Sequence, residues 1–119
     1  MSYNIDSWKT KKINNLVIPI KAFEKYIKIE PKITNIDTNE ILIEIGEGVI
    51  TGNLKDKEIH VKKILIRGEG SGHIMNDIIQ PVLEESTGEL EAILIWESGD
   101  SITKETLING KYKSETYDL

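Results

Sequence analysis

Between residues 33 and 66 the apolar side chains recur with a period of two, and this constrains the chain more than any other feature. Successive side chains of a strand point to opposite faces, so strict alternation marks a strand with one buried face. Ile41, Ile43 and Ile45 alternate with Leu42 and Glu44, which predicts a strand over 40–46. Asp37-Thr38-Asn39 before it is a turn by composition. Gly46-Glu47-Gly48 is a tight connection into a second strand carrying Ile50, Gly52 and Leu54. Lys55-Asp56-Lys57 turns the chain again. Ile59 and Val61 then stand at odd positions, while Ile64 and Ile66 stand at even ones. One extra residue at Lys62-Lys63 produces such a slip, so a β-bulge is expected there. The block reads as an antiparallel meander.

A second strand-rich block closes the chain. Asn109-Gly110 sits between 102–108 and 112–119 and is a strong short-range hairpin signal, because both residues tolerate the positive φ of a type I′ turn. A two-residue turn makes opposed residues sum to 219, so Leu107 faces Tyr112, Lys104 faces Glu115 and Ile102 faces Tyr117. Leu90 to Trp96 is apolar at both parities from 92 onward, which predicts a central strand covered on both faces.

Two segments change to helical period. Ile74, Met75, Ile78, Ile79, Val82 and Leu83 form a wide apolar stripe, predicting a helix over 72–86 with Ile78 and Val82 toward a sheet. Ser71 is its N-cap candidate, Pro81 kinks it, and Thr87-Gly88 stops it. Near the N-terminus a short extended run, Leu16 to Ile20, meets a helix start at Pro19. Ala22, Phe23, Tyr26 and Ile27 share one face of a short helix over 20–28, expected to cover an edge of the sheet. The expected class is α+β: a predominantly antiparallel twisted sheet of six or seven strands, the 72–86 helix packed on one face, and the short 20–28 helix beside it. The 119 residues form one domain, 1–119.

Composition narrows the chemistry. The chain has no cysteine, which removes disulfides, thiolate metal sites and cysteine nucleophiles. The polar start and short apolar runs predict a cytoplasmic protein with no membrane contact. Net charge is −5, unevenly distributed. Residues 1–32 hold seven lysines against three acids, and residues 33–119 hold eight basic residues against 17 acids. The basic third is expected to neutralise the acidic remainder, which repels phosphate backbones and argues against nucleic-acid binding.

The glycine-rich stretch Gly68-Glu69-Gly70-Ser71-Gly72 before the predicted helix is the most noticeable motif. It lacks the Lys-Ser/Thr of a phosphate-binding loop and the spacing of a dinucleotide fingerprint. Glu69, Gly70, Ser71 and His73 are therefore candidates for contact with a ligand or partner rather than for catalysis. Ser71 lacks the flanking glycines of a nucleophile elbow, since Glu69 and His73 stand in their places. The two histidines, His60 and His73, show no metal-ligand spacing, and His60 is expected on the less buried face of its strand. Trp96, Glu97 and Asp100 form a second candidate group, an aromatic anchor beside carboxylates. No catalytic residue, metal or cofactor is expected.

These features favour a small acidic binding protein, acting without catalysis as an inhibitor, an immunity or antidefence-type factor, or an accessory subunit. Its partners would be a basic protein, docked by charge, or further copies of itself. The alternative is a small-ligand binder or minor enzyme built on the Gly68–His73 loop.

Overall fold

The computed structural model describes residues 8–45, 48–65, 77–95 and 99–118. Its elements, in chain order, are β1 (Trp8–Pro19), α1 (Ile20–Tyr26), β2 (Lys32–Asn35), β3 (Glu40–Ile45), β4 (Gly48–Lys55) and β5 (Glu58–Leu65), followed by α2 (Gln80–Leu83), β6 (Thr87–Ile95), β7 (Ser101–Ile108) and β8 (Lys111–Asp118). All eight strands belong to one antiparallel sheet in the order β2-β3-β4-β5-β1-β6-β7-β8. Two meanders, β2–β5 and β6–β8, are thus joined edge to edge by the N-terminal strand.

The first meander follows its hydrophobic period. Ile43 pairs with Ile50 and Ile50 with Ile64, giving a buried isoleucine row across three strands. Thr51 pairs with Lys63 but Gly52 with Val61, so Lys62 is the extra residue of a bulge at the expected place. The bulge keeps both Val61 and Ile64 on the buried face despite their opposite parity. The turn before β3 is held by Asn35, whose Oδ1 accepts from the amides of Asp37 and Thr38 at 3.0 and 3.4 Å.

The second meander matches the expected hairpin register residue for residue: Ile102–Tyr117, Lys104–Glu115 and Leu107–Tyr112 are opposed. Asn109 and Gly110 hold φ of 46° and 80°, the left-handed pair of a type I′ turn. A side chain at Gly110 would place its Cβ 2.2 Å from the Glu84 carbonyl oxygen, so glycine is required by contact as well as by φ.

Both helices lie on one face. Ala22 and Phe23 of α1, with Ile79, Val82 and Leu83 around α2, join Leu16, Ile18, Ile41, Ile43, Ile50, Ile59, Leu90 and Leu107 in a single core. Among the described residues, no element covers the opposite face of the sheet.

Several expectations are corrected. Among the described residues the sheet has eight strands rather than six or seven: β1 is a twelve-residue central strand, and the short β2 adds an edge. The Lys- and Asn-rich sequence of β1 masks it, since only one of its faces meets the core. The described part of the expected 72–86 helix is one four-residue turn of helix, Gln80–Leu83, preceded by a turn at 77–79; residues 72–76 lie outside the described residues. Pro81 stands in the first turn, where its missing N–H costs no hydrogen bond, and introduces no kink. Ile78 is 57% exposed, whereas Ile79 is fully buried, so the apolar stripe of a continuous helix does not extend through Ile78. Thr87-Gly88 opens β6 instead of stopping a helix. Gly88 has φ 93° and lies so close to the Asn15 carbonyl that a Cβ would clash there. Strand β6 is covered on one face only: Leu90 and Ala92 are buried, and Ile95 is 40% exposed. The N-terminal helix spans Ile20–Tyr26 and sits beside central β1 and α2, not over an edge.

Charge is balanced locally across the centre of the sheet. Lys12 of β1 lies opposite Glu91 of β6, and its Nζ is 3.7 Å from Glu89.

Candidate functional site

In β7 the apolar and polar faces are inverted relative to the core. The odd residues Ser101, Thr103, Glu105 and Leu107 point inward and are buried, Glu105 completely. The even residues Ile102 and Ile108 point outward, with Ile108 47% exposed. Hydrophobicity alone would choose the opposite orientation. Pairing overrides it: Leu107 is locked between Leu90 of β6 and Tyr112 of β8, both on the core side, and one register step would turn all eight residues over.

The inward polar row continues into β8. Thr103 lies opposite Thr116, and their hydroxyls are 3.0 Å apart. Glu105 lies between Ala92 and Ser114. Tyr112, half-buried and one step along from Ser114 on the same face, hydrogen-bonds to Glu105. Burial raises the Tyr112 pKa well above the usual phenol range, and the Glu105 carboxylate raises it further. Tyr112 is therefore held as a neutral donor. It also lines a surface cavity of about 420 Å³ with Gln80, Glu84 and Gly110. Gln80 donates from Nε2 to Glu84 Oε1 at 3.0 Å across this cavity wall. The arrangement offers a phenol, an amide and an exposed carboxylate, a set suited to hydrogen-bonding a small polar group.

The outward side of the same meander is apolar at one end. Ile95 pairs with Ile102, and Ile102 with Tyr117, so the three side chains form a continuous row across β6, β7 and β8. Ile95 is 40% and Tyr117 50% exposed. Beside this row Lys104 reaches Glu91 at 3.7 Å, and Glu115 is bonded to both Lys113 and Tyr117. Lys113 chiefly, with Tyr117, holds the Glu115 carboxyl below the usual carboxylate range.

Of the residues singled out from sequence, Glu69, Gly70, Ser71, His73, Trp96 and Glu97 lie outside the described residues. Asp100 is an exposed residue in the bend that leads into β7, directly before buried Ser101. His60 is exposed on the outer face of β5, opposite Val17 and Asn53. Glu105, Thr103, Tyr112 and Ile102 were missed by sequence reasoning. A partial signal was present: the register predicted from Asn109-Gly110 ties Leu107 to Tyr112 and places Thr103 and Glu105 on that same face, without deciding that this face turns inward.

Among the described residues, no group of three or more His, Asp or Glu side chains is placed to hold a metal ion. No helix among them is long and apolar enough to cross a membrane. No family model matches the chain, and no curated protein or solved structure matches it either.

Proposed function

We propose that the chain is a binding protein that acts by contact with another protein through the open face of its β6–β8 meander. The observation that supports this most is the outward row Ile95–Ile102–Tyr117, apolar surface left uncovered on a sheet whose other face carries both helices. Contiguous exposed apolar patches mark interaction sites in soluble domains, and an aromatic residue within such a patch is a frequent anchor. Trp96, Glu97 and Asp100, the aromatic and acidic candidates of the sequence, are proposed as further contact residues. The net charge of −5 favours a basic partner, whose association would slow as salt screens the attraction.

The test is capture from the native host by the immobilised protein, comparing wild type with Ile102→Glu. A stoichiometric basic protein that is lost with Ile102→Glu, while the variant melts like wild type, supports the reading. Capture indifferent to Ile102→Glu overturns it.

A second reading is favoured by buried Glu105 and the cavity at Tyr112: a small polar ligand would bind there. A ligand present at about 100 times its Kd would stabilise the protein by about 2.7 kcal/mol, so a thermal-shift screen of small polar compounds separates the two readings. Tyr112→Phe would abolish the shift if the cavity is the site.

A further inference from the structure

Among the described residues, strand β8 has a single strand neighbour, β7, and its other side is an edge of the sheet. The turn decides which backbone groups that edge offers. In a two-residue type I′ hairpin the flanking residues, here Ile108 and Lys111, exchange the hydrogen bonds. Backbone direction then alternates, so Lys113, Glu115 and Tyr117 also turn their amides toward β7, whereas Ser114 and Thr116 turn theirs outward. The Thr103–Thr116 hydroxyl contact agrees with this phase, because side chains approach more closely in the pairs that do not exchange hydrogen bonds.

Natural edge strands are blunted by shortness, proline or lysine. Strand β8 is eight residues long and has no proline, and its lysines occupy only one half. Lys111 and Lys113 precede the centre, and Glu115 and Asp118 follow it. An antiparallel copy of the strand presents these charges in reverse order.

We propose that β8 pairs antiparallel with β8 of a second copy across a two-fold axis at Ser114, forming a sheet continuous through both molecules. Each face must continue across the junction, so odd residues face odd residues. The register centred on Ser114 sets Lys113 against Glu115 of the second copy, twice, and Lys111 against Tyr117, twice. Sliding one strand by two residues either way sets Lys113 against Lys113 or Glu115 against Glu115. Within each copy Lys113 is already ion-paired with Glu115. The four charges around the axis therefore alternate in sign, a small network rather than isolated pairs. The outward amides of Ser114 and Thr116 gain partners in the same register. The contact is isologous, so it closes at two copies. It uses the strand edge and not the Ile95–Ile102–Tyr117 row, and it stands independently of the partner reading above.

The chain has no cysteine, which makes a single Ser114→Cys variant a clean probe. Opposed residues of a hydrogen-bonded antiparallel pair lie about 5.5 Å apart at Cα, within disulfide reach. Mild oxidation should convert Ser114→Cys into a covalent dimer at dilutions where Lys63→Cys, exposed on β5, stays monomeric. In sedimentation runs over a concentration series, the wild type should move from monomer to dimer. Ser114→Pro should remain monomeric and should melt like the wild type at dilutions where the wild type is also monomeric, since the N–H it removes points away from β7. Lys113→Glu should weaken the dimer by at least about tenfold, through like charges facing each other, and Lys113→Glu with Glu115→Lys should restore it. A wild type that is monomeric throughout, Ser114→Cys cross-linking no faster than Lys63→Cys, or a charge swap that fails to restore the dimer would overturn the proposal. Loss of the dimer in Ile102→Glu would move the contact to the open face and overturn the edge register as well.

Discussion

The two meanders share one sheet and one core, yet they use their faces in opposite ways. In β2–β5, isoleucines fill the inner face: Ile41, Ile43, Ile50, Ile59 and Ile64 are each at most 1% exposed. In β6–β8 the inner face takes Ser101, Thr103 and Glu105, while Ile95, Ile102, Ile108 and Tyr117 look outward. Strands β3–β5 have the pattern that stability alone would select, while Ile33 on the edge strand β2 is left 55% exposed. The second half departs from that pattern, burying polar groups and leaving apolar ones in water, both of which cost free energy. Departures of this kind concentrate where a protein works, which is why the site is assigned to the second half.

This contrast fails if isoleucines in the two halves are energetically alike. Ile43→Ala should cost about 2–5 kcal/mol, as cavity-forming core changes do, and Ile102→Ala less than about 1 kcal/mol. Urea denaturation of both variants measures the difference. Equal losses would mean that the outer face of β7 is covered.

A somewhat smaller loss is expected where the tip of the second meander rests on α2. Gly110→Ala combines a left-handed φ with a clash against the Glu84 carbonyl, and should cost about 1–3 kcal/mol by urea denaturation. A neutral result would show that the hairpin tip does not rest on α2.

Tyr112 distinguishes the second half through pH. Its pKa is raised in the folded protein, so its contribution is fully present below the unfolded phenol pKa of about 10 and is lost as pH rises beyond it. Stability should therefore fall with alkalinity above about pH 10, and Tyr112→Phe should make that slope shallower. An unchanged slope would mean that neither burial nor Glu105 raises the Tyr112 pKa.

Two smaller effects test what the polar row contributes and where the first meander stores strain. Replacing Thr103 and Thr116 together by valine removes both hydrogen-bonding partners at once, and should change stability by less than about 1 kcal/mol. A larger loss would make this part of the row structural. In the β4–β5 turn, Asp56 and Lys57 hold φ of 51° and 64° without glycine. Lys57→Gly should raise stability by up to about 1 kcal/mol by relieving the left-handed strain. A decrease would show that loss of unfolded-state entropy outweighs it.

Much of the fold was legible because it is local. Alternation placed β3, β4 and β5, the parity slip located the Lys62 bulge, and Asn109-Gly110 determined the β7–β8 register to the residue. Each of these follows from the chemistry of a few adjacent residues. Strand β1 was largely hidden because its lysines and asparagines carry no apolar period, and its place at the centre of the sheet depends on partners 39 to 86 residues away. The helix around Pro81 was overestimated because an apolar stripe is only an expectation: Ile79 packs into the core with Val82 and Leu83, while Ile78 is left exposed in the turn before α2.

The candidate site divides along the same line. Residue order is enough to oppose β7 and β8 pair by pair, to separate their charges into two blocks, and to remove thiol chemistry. It is not enough to choose which face of that hairpin turns inward. A strand carrying Ile102 and Ile108 on one side and Thr103 and Glu105 on the other has a local preference for burying the isoleucines. Pairing with β6 ties Leu107 to Leu90, and the cost of breaking that ladder exceeds the preference. Glu105 is thereby carried into the core side and Ile102 into the open, a consequence of long-range register that no residue in the strand dictates alone.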